Sequence, residues 1–177
     1  MPKIIDNLRD TIISVGRDIL LNEGYSEFSI RNLATRSGIA TGTIYNYFES
    51  KVQIIANILI RDWNAMSAEL EDKLPEVSSV KEGVCMIYKA VEKFSSMYGG
   101  FFRAYSTGSS PIEIVKDYHK IVIDNINSFL DILTEKFEIK DDTKIRTLIA
   151  EVIVSSASYK IISYENIEAL IERLFER

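Results

Sequence analysis

Between Phe28 and Lys51 the chain gathers side chains suited to hydrogen bonding on a surface: Ser29, Arg31, Thr41, Thr43, Tyr45, Asn46, Tyr47 and Lys51, with Gly42 among them. Their chemistry is recognition rather than bond making. A guanidinium such as that of Arg31 pairs with a guanine edge or clamps a phosphate, and an amide such as that of Asn46 matches an adenine edge or stays in solvent. The hydroxyls of Thr41 and Thr43 suit base edges or the backbone. The phenols of Tyr45 and Tyr47, the Lys51 ammonium and the Ser29 hydroxyl suit phosphate oxygens. Gly42 removes a side chain where a helix must approach a duplex closely.

Constellations for covalent chemistry come up empty. The chain has one His and one Cys, with no HExxH, no Gly-rich phosphate loop and no Cys/His cluster. No metal or cofactor is expected, and the protein reads as a non-enzyme. His119 lies in line with Val122 and Ile126 on a long helix, where a structural role or an effector contact are the two readings. Cys85 reads as a small apolar packing residue.

The elements that position the polar set are two short helices and a turn. Ser29 stands where an N-cap belongs, and its oxygen can take an orphan N–H of the first turn. Ile30, Leu33 and Ala34 then form an inward face at helical spacing. Gly38 supplies the positive φ that ends this helix. A second short helix follows over Thr41–Phe48, with Ile44 and Phe48 reserved for packing. Such a pair, held at a fixed angle, is a helix-turn-helix, and its second helix is built for a major groove.

Gly24-Tyr25, Phe28-Ser29, Ile30, Leu33-Ala34, Gly38-Ile39, Gly42-Thr43-Ile44-Tyr45, Tyr47-Phe48 and Lys51 fall where the TetR family of transcriptional regulators has its motif, and over residues 8–55 the chain resembles that family. The resemblance implies phosphate contacts by Thr43, Tyr45, Tyr47 and Lys51, and sequence reading by Arg31, Thr41 and Asn46. It also implies a homodimer on a palindromic operator in double-stranded DNA, and an effector-binding body. One departure is Ala40, where the family usually carries a Ser that caps the recognition helix. Ala forfeits roughly 1 kcal/mol of capping unless Thr41 takes that place by starting the helix one residue later.

Whole-chain properties agree with such a protein. The net charge of −5 runs against DNA binding, yet residues 1–51 hold six basic and six acidic side chains, so the acidic excess lies beyond them. A near-neutral reading head on an acidic body binds selectively and does not coat DNA. No apolar run reaches the length of a membrane span, the N-terminus lacks the pattern of a signal peptide, and the lone Cys85 suits a reducing compartment, so the expected location is cytoplasmic.

The rest reads as helices throughout, giving an all-α chain of nine. An amphipathic helix over 3–23 carries Ile5, Leu8, Ile12, Val15 and Ile19 on one side, with Lys3 as a phosphate candidate at its start. A long helix runs from Ser50 to about Lys73, followed by Pro75, and others span about 80–98, 101–105, 110–137, 143–161 and 164–176. Gly99-Gly100 reads as a break. Ser110-Pro111-Ile112-Glu113 is a start signal. The expected division is a DNA-binding domain over 1–50 and a ligand-binding and dimerisation domain over 51–177.

Within that body Trp63, Tyr88, Phe94, Tyr98, Phe102, Tyr105, Tyr118 and Phe129, with His119, are the candidates for an effector pocket; each aromatic has core packing as its alternative. Val152, Ser155, Ser156 and Tyr159, with Ile167, Leu170, Ile171 and Leu174, are the candidates for an isologous dimer surface. The favoured function is a homodimeric repressor released by a small, largely apolar effector. The alternatives are a regulator answering to a protein partner or to no ligand, and an all-α carrier or enzyme.

Overall fold

The structure, a computed structural model, describes residues 7–106, 112–140, 143–160 and 162–175. Among them the chain forms nine α-helices and no strand: α1 (Leu8–Asn22), α2 (Ile30–Ser37), α3 (Thr41–Tyr47), α4 (Lys51–Lys73), α5 (Val80–Met97), α6 (Gly99–Ser106), α7 (Ile112–Lys136), α8 (Thr143–Tyr159) and α9 (Tyr164–Phe175). Lys3, Ile5, the start signal at Ser110-Pro111 and the side chains of Tyr105 and Glu113 lie outside what is described.

Packing separates two compact units. One comprises Met1–Asp62 and Tyr98–Lys116, the other Trp63–Met97 and Asp117–Arg177. The first extends well past residue 50, because the first half of α4 and the segment carrying α6 pack with it.

In the first unit, α1 buries Ile12, Ile13, Ile19 and Leu20. Gly16 faces Ile58 of α4 and Phe28, and a Cβ there would stand 3.0 Å from the Ile58 Cδ1 and 3.1 Å from the Phe28 ring. Removing that methyl is what allows α1 to lie close to α4. The start of α2 follows the expectation: the Ser29 hydroxyl accepts from the Asn32 N–H at 3.1 Å, and Gly38 ends it at φ 68°. Ser37 donates to the Leu33 carbonyl at 2.6 Å, closing the last turn.

Two local expectations differ from the structure. Thr41 is the first helical residue of α3 rather than its cap; Ala40 holds the N-cap position in extended conformation, with no side-chain bond. The helix is held instead by its apolar side, where Ile44 and Phe48 are 0% and 1% exposed, each contributing roughly 1.5–3 kcal/mol on burial. The expected break is present, at Tyr98 between α5 and α6, but Gly99 and Gly100 form the first turn of α6 and do not lie in the gap; the Tyr98 carbonyl accepts the Phe102 N–H at 3.1 Å and seeds that turn. By contrast, Ser50 caps α4 as expected, accepting from the Gln53 N–H at 3.2 Å while Gln53 accepts from the Glu49 N–H at 2.6 Å.

In the second unit α5 packs against α8 and α9. Gly83 of α5 lies against the buried Leu133 of α7, so close that a Cβ would collide with the leucine's side chain. Val84, Ile87, Val91, Ile126, Phe129, Ile149, Ile153, Ile167 and Ile171 fill the interior. Lys81 ties α5 to α9 through Glu168 at 3.0 Å and Glu172 at 2.9 Å.

Candidate nucleic-acid interface

The polar residues of α3 stand outward on a helix whose other side is core. At 3.6 residues per turn, Thr41, Gly42, Tyr45 and Asn46 share an arc of about 140°. All four are exposed, Tyr45 by 55%, while Ile44 and Phe48 on the far side are buried. Tyr47 is 43% exposed beside them and Thr43 half-buried. Large aromatic rings left in water on a seven-residue helix are not explained by packing. They are the kind of amphipathic group that meets a nucleic-acid backbone.

The cations around this helix divide into engaged and available. Arg17 is held by Asp62, its Nε at 2.8 and 2.6 Å from the two carboxylate oxygens, and Arg36 pairs with Glu23. Arg31, exposed on the first turn of α2, has no carboxylate partner among the described residues, and neither has Lys51. The Lys51 ammonium instead lies over the ring of Tyr25, 4.0 Å from its centroid, and 5.7 Å from that of Phe28. Burial pushes it below the usual lysine range. Ser29 uses its oxygen as the cap of α2 and keeps a hydroxyl proton to donate. A Cβ at Gly42 would meet nothing within 4 Å, so the small size of this residue serves no internal contact.

The effector candidates are distributed unevenly. Trp63, Phe94 and Tyr118 come together in the second unit: Trp63 meets Phe94 edge-on at 5.5 Å, and Phe94 stacks on Tyr118 at 5.5 Å. The Trp63 indole N–H donates to Asn125 Oδ1 at 2.8 Å. Tyr88 packs on Tyr164 at 5.0 Å, and Phe129 is fully buried. Tyr98 and Phe102 belong to the first unit, where the Tyr98 hydroxyl donates to Asp62. His119 points outward and faces Glu151 at 3.1 Å. A surface groove of about 230 Å³ in the second unit, lined by Met66, Leu70, Met86, Ala90 and four charged side chains, includes none of these aromatics.

The dimer candidates separate into two groups. Ser156, Ile167 and Ile171 are 0%, 1% and 0% exposed and serve the interior of the second unit. Tyr159, Leu170 and Leu174 face outward, with Val152 and Ser155 half-exposed. Ile145 and Leu148, outside the expected set, extend this surface; Leu148 is 64% exposed. Their signal is in the sequence, since Ile145, Leu148, Val152 and Tyr159 share one side of α8. What the spacing leaves open is which side turns inward. Tyr25, which the sequence marks only as part of the motif, joins the site through its contact with Lys51.

Comparison with known proteins agrees with this geometry. Residues 12–58 match the family model of bacterial regulatory proteins, tetR family. The fatty acid metabolism regulator protein of Bacillus subtilis is 25% identical over 142 residues, spanning 76% of this chain and 72% of that protein. The transcriptional repressor KstR of Mycobacterium tuberculosis is 32% identical over 63 residues, 36% of this chain and 29% of its own length. Among solved structures, the regulator FadR from Bacillus subtilis in complex with stearoyl-CoA superposes with a TM-score of 0.61 at 19% identity, covering 94% of this chain and 95% of that one. No helix among the described residues is long and apolar enough to cross a membrane. With its outward-facing α3 and its matched motif, the chain carries over residues 12–58 the module of the bacterial regulatory proteins of the tetR family, within an all-helical fold like that of the solved regulators.

Proposed function

We propose that the protein is a cytoplasmic repressor that binds a palindromic operator as a homodimer and is released by a largely apolar effector. DNA binding belongs to residues 1–50 with Lys51 at the head of α4, and effector binding and dimerisation to the rest of residues 51–177. The observation that carries the reading is the exposed side of α3, with Tyr45 and Tyr47 in solvent above a buried Ile44 and Phe48. In this reading Tyr45, Tyr47, Thr43, Lys51 and Ser29 hold phosphates, and Arg31, Thr41 and Asn46 read base edges, with Gly42 allowing close approach. Two such heads occupy half-sites about 34–36 Å apart, or a multiple. Ile145, Leu148, Val152, Tyr159, Leu170 and Leu174 form the self-complementary surface between subunits.

An acyl thioester is the first effector class to test, because the Bacillus subtilis regulator was solved with stearoyl-CoA. The buried aromatic set of Trp63, Phe94, Tyr118 and Phe129 is the apolar surface that such a chain would meet on entering the second unit. An effector of this class acts by preferring the arrangement in which the heads no longer match their half-sites, with a coupling of about 1–3 kcal/mol. The test is a fluorescence-anisotropy titration of a labelled duplex from upstream of the protein's own gene, with short-, medium- and long-chain acyl-CoAs added. Release at micromolar ligand supports the reading. Operator affinity unchanged by every chain length removes acyl thioesters as effectors.

A further inference from the structure

Lys51 stands at the start of α4 with no carboxylate beside it among the described residues, yet it is not a loose surface cation. Its ammonium is seated 4.0 Å from the centroid of the Tyr25 ring. The Tyr25 ring is in turn met edge-on by Phe101 of α6, with centroids 5.5 Å apart and planes at 71°. Phe101 is 3% exposed, so this backing is fixed rather than solvent-borne. The segment that carries it is fastened one turn earlier, where the buried Tyr98 hydroxyl donates to Asp62 at 2.6 Å and Asp62 also holds Arg17. A chain of contacts thus leads from α6 to the cation at the head of α4, all inside one compact unit.

We propose that Tyr25, backed by Phe101, is a positioning residue that aims the Lys51 ammonium at an operator phosphate, so that the seating of α6 sets part of the DNA affinity. A ring face attracts a cation without neutralising it. A carboxylate in the same place would hold Lys51 as firmly but cancel its charge toward phosphate. The tyrosine ring therefore fixes where the charge sits and leaves it available. A lysine side chain otherwise loses substantial rotamer freedom on binding, and a ring that fixes the ammonium beforehand removes part of that loss. Because two heads engage one operator, any effect per half-site enters twice. The proposal rests on Lys51 being a phosphate contact.

The test compares operator affinity and its salt dependence for wild type, Lys51→Ala, Tyr25→Leu, Tyr25→Phe, Phe101→Leu and the Lys51→Ala/Tyr25→Leu pair, each checked for a wild-type circular-dichroism melt. Lys51→Ala lowers the slope of log K against log salt by about 0.9 for each half-site. Tyr25→Leu weakens binding by about two- to fivefold per half-site, the scale of an exposed cation–π contact, and Phe101→Leu weakens it less. Tyr25→Phe keeps the ring and restores affinity. In the Lys51→Ala background Tyr25→Leu adds nothing, a non-additivity that simple destabilisation of the head does not produce. A second measurement needs no variant to fold: in wild type the Lys51 ε-methylene protons resonate upfield under the ring current of Tyr25. A loss with Lys51→Ala but none with Tyr25→Leu, or additive losses, overturns the positioning role alone. No loss with Lys51→Ala overturns it together with the phosphate contact on which it rests. Unshifted ε-methylene protons in wild type contradict the seating itself.

Discussion

The Tyr98 hydroxyl donates to the Asp62 carboxylate at 2.6 Å, with Tyr98 2% and Asp62 8% exposed. The same carboxylate takes both of its other bonds from Arg17 Nε. This buried junction joins α1, α4 and the residue before α6. A buried carboxylate is tolerated only when its lone pairs are filled, and here three bonds fill them.

Removing the acceptor takes from the buried Tyr98 phenol and the partly buried Arg17 guanidinium their bonds to the Asp62 carboxylate. Asp62→Ala is therefore expected to destabilise by about 3 kcal/mol, at the low end for a broken buried pair because the Arg17 side chain is 32% exposed and water can reach it. Tyr98→Phe loses one bond to a charged group and costs about 1.5–3 kcal/mol. Urea unfolding of the two variants measures both. An Asp62→Ala midpoint equal to wild type contradicts the junction.

Alkaline pH acts on the same bond. Burial, and then the bond to Asp62, hold the Tyr98 phenol well above its ordinary value of 10.0. A raised value means that the folded protein holds this proton more tightly than the unfolded chain. The stabilisation is complete below pH 10 and is lost as pH climbs toward the folded value. Tyr88 and Tyr164 shift in the same direction, so wild type and Tyr98→Phe both weaken in alkali. The stability difference between them shrinks above pH 10, and a difference constant with pH contradicts the assignment.

Two glycines separate packing from recognition. Gly83→Ala drives a methyl into Leu133, and overpacking of about 1–3 kcal/mol outweighs the gain of about 1 kcal/mol in helix propensity. Gly42→Ala meets nothing within 4 Å, so stability holds or rises by a few tenths of a kcal/mol while operator affinity falls. Thermal melts with parallel operator titrations decide this. A Gly42→Ala protein that binds its operator as wild type does removes Gly42 from the interface.

Much of this is open to a reader of the residues. Ser29, Gly38 and Ser50 mark their helix ends by chemistry that acts within four residues, and the structure uses each as expected. Ala40 illustrates the limit: tertiary burial of Ile44 and Phe48 holds α3 without the cap that local rules ask for. Tyr98 shows a further one. A tyrosine that closes the apolar stripe of the helix expected over 80–98 reads as core or pocket, and only the fold brings it to Asp62, thirty-six residues away. The split of α8 and α9 between interior and exterior is likewise a matter of rotation about the helix axis. Spacing gives that a stripe exists, not which of two stripes turns outward.

The outward stripe predicts the behaviour of surface variants. Leu148→Asp and Leu170→Glu alter residues 64% and 38% exposed, so each subunit keeps its fold to within about 0.5 kcal/mol. Both are expected to lower dimer stability, because each forces a charge into the proposed self-complementary surface. Ile171→Ala, at a residue with no exposure, instead costs the subunit about 2–5 kcal/mol. Sedimentation equilibrium beside urea melts separates the two outcomes. Undiminished dimers of Leu148→Asp and Leu170→Glu place the interface elsewhere.

In the proposed function two copies of the α3 surface grip one operator. Equilibrium binding of wild type and Tyr45→Ala to the duplex upstream of the protein's own gene, repeated across salt concentrations, tests it most directly. The expected result is two chains per duplex, log K falling by about 0.9 per neutralised phosphate for each decade of salt, and a clear loss of affinity with Tyr45→Ala. One chain per duplex, affinity indifferent to salt, or a Tyr45→Ala protein that binds as tightly as wild type contradicts it.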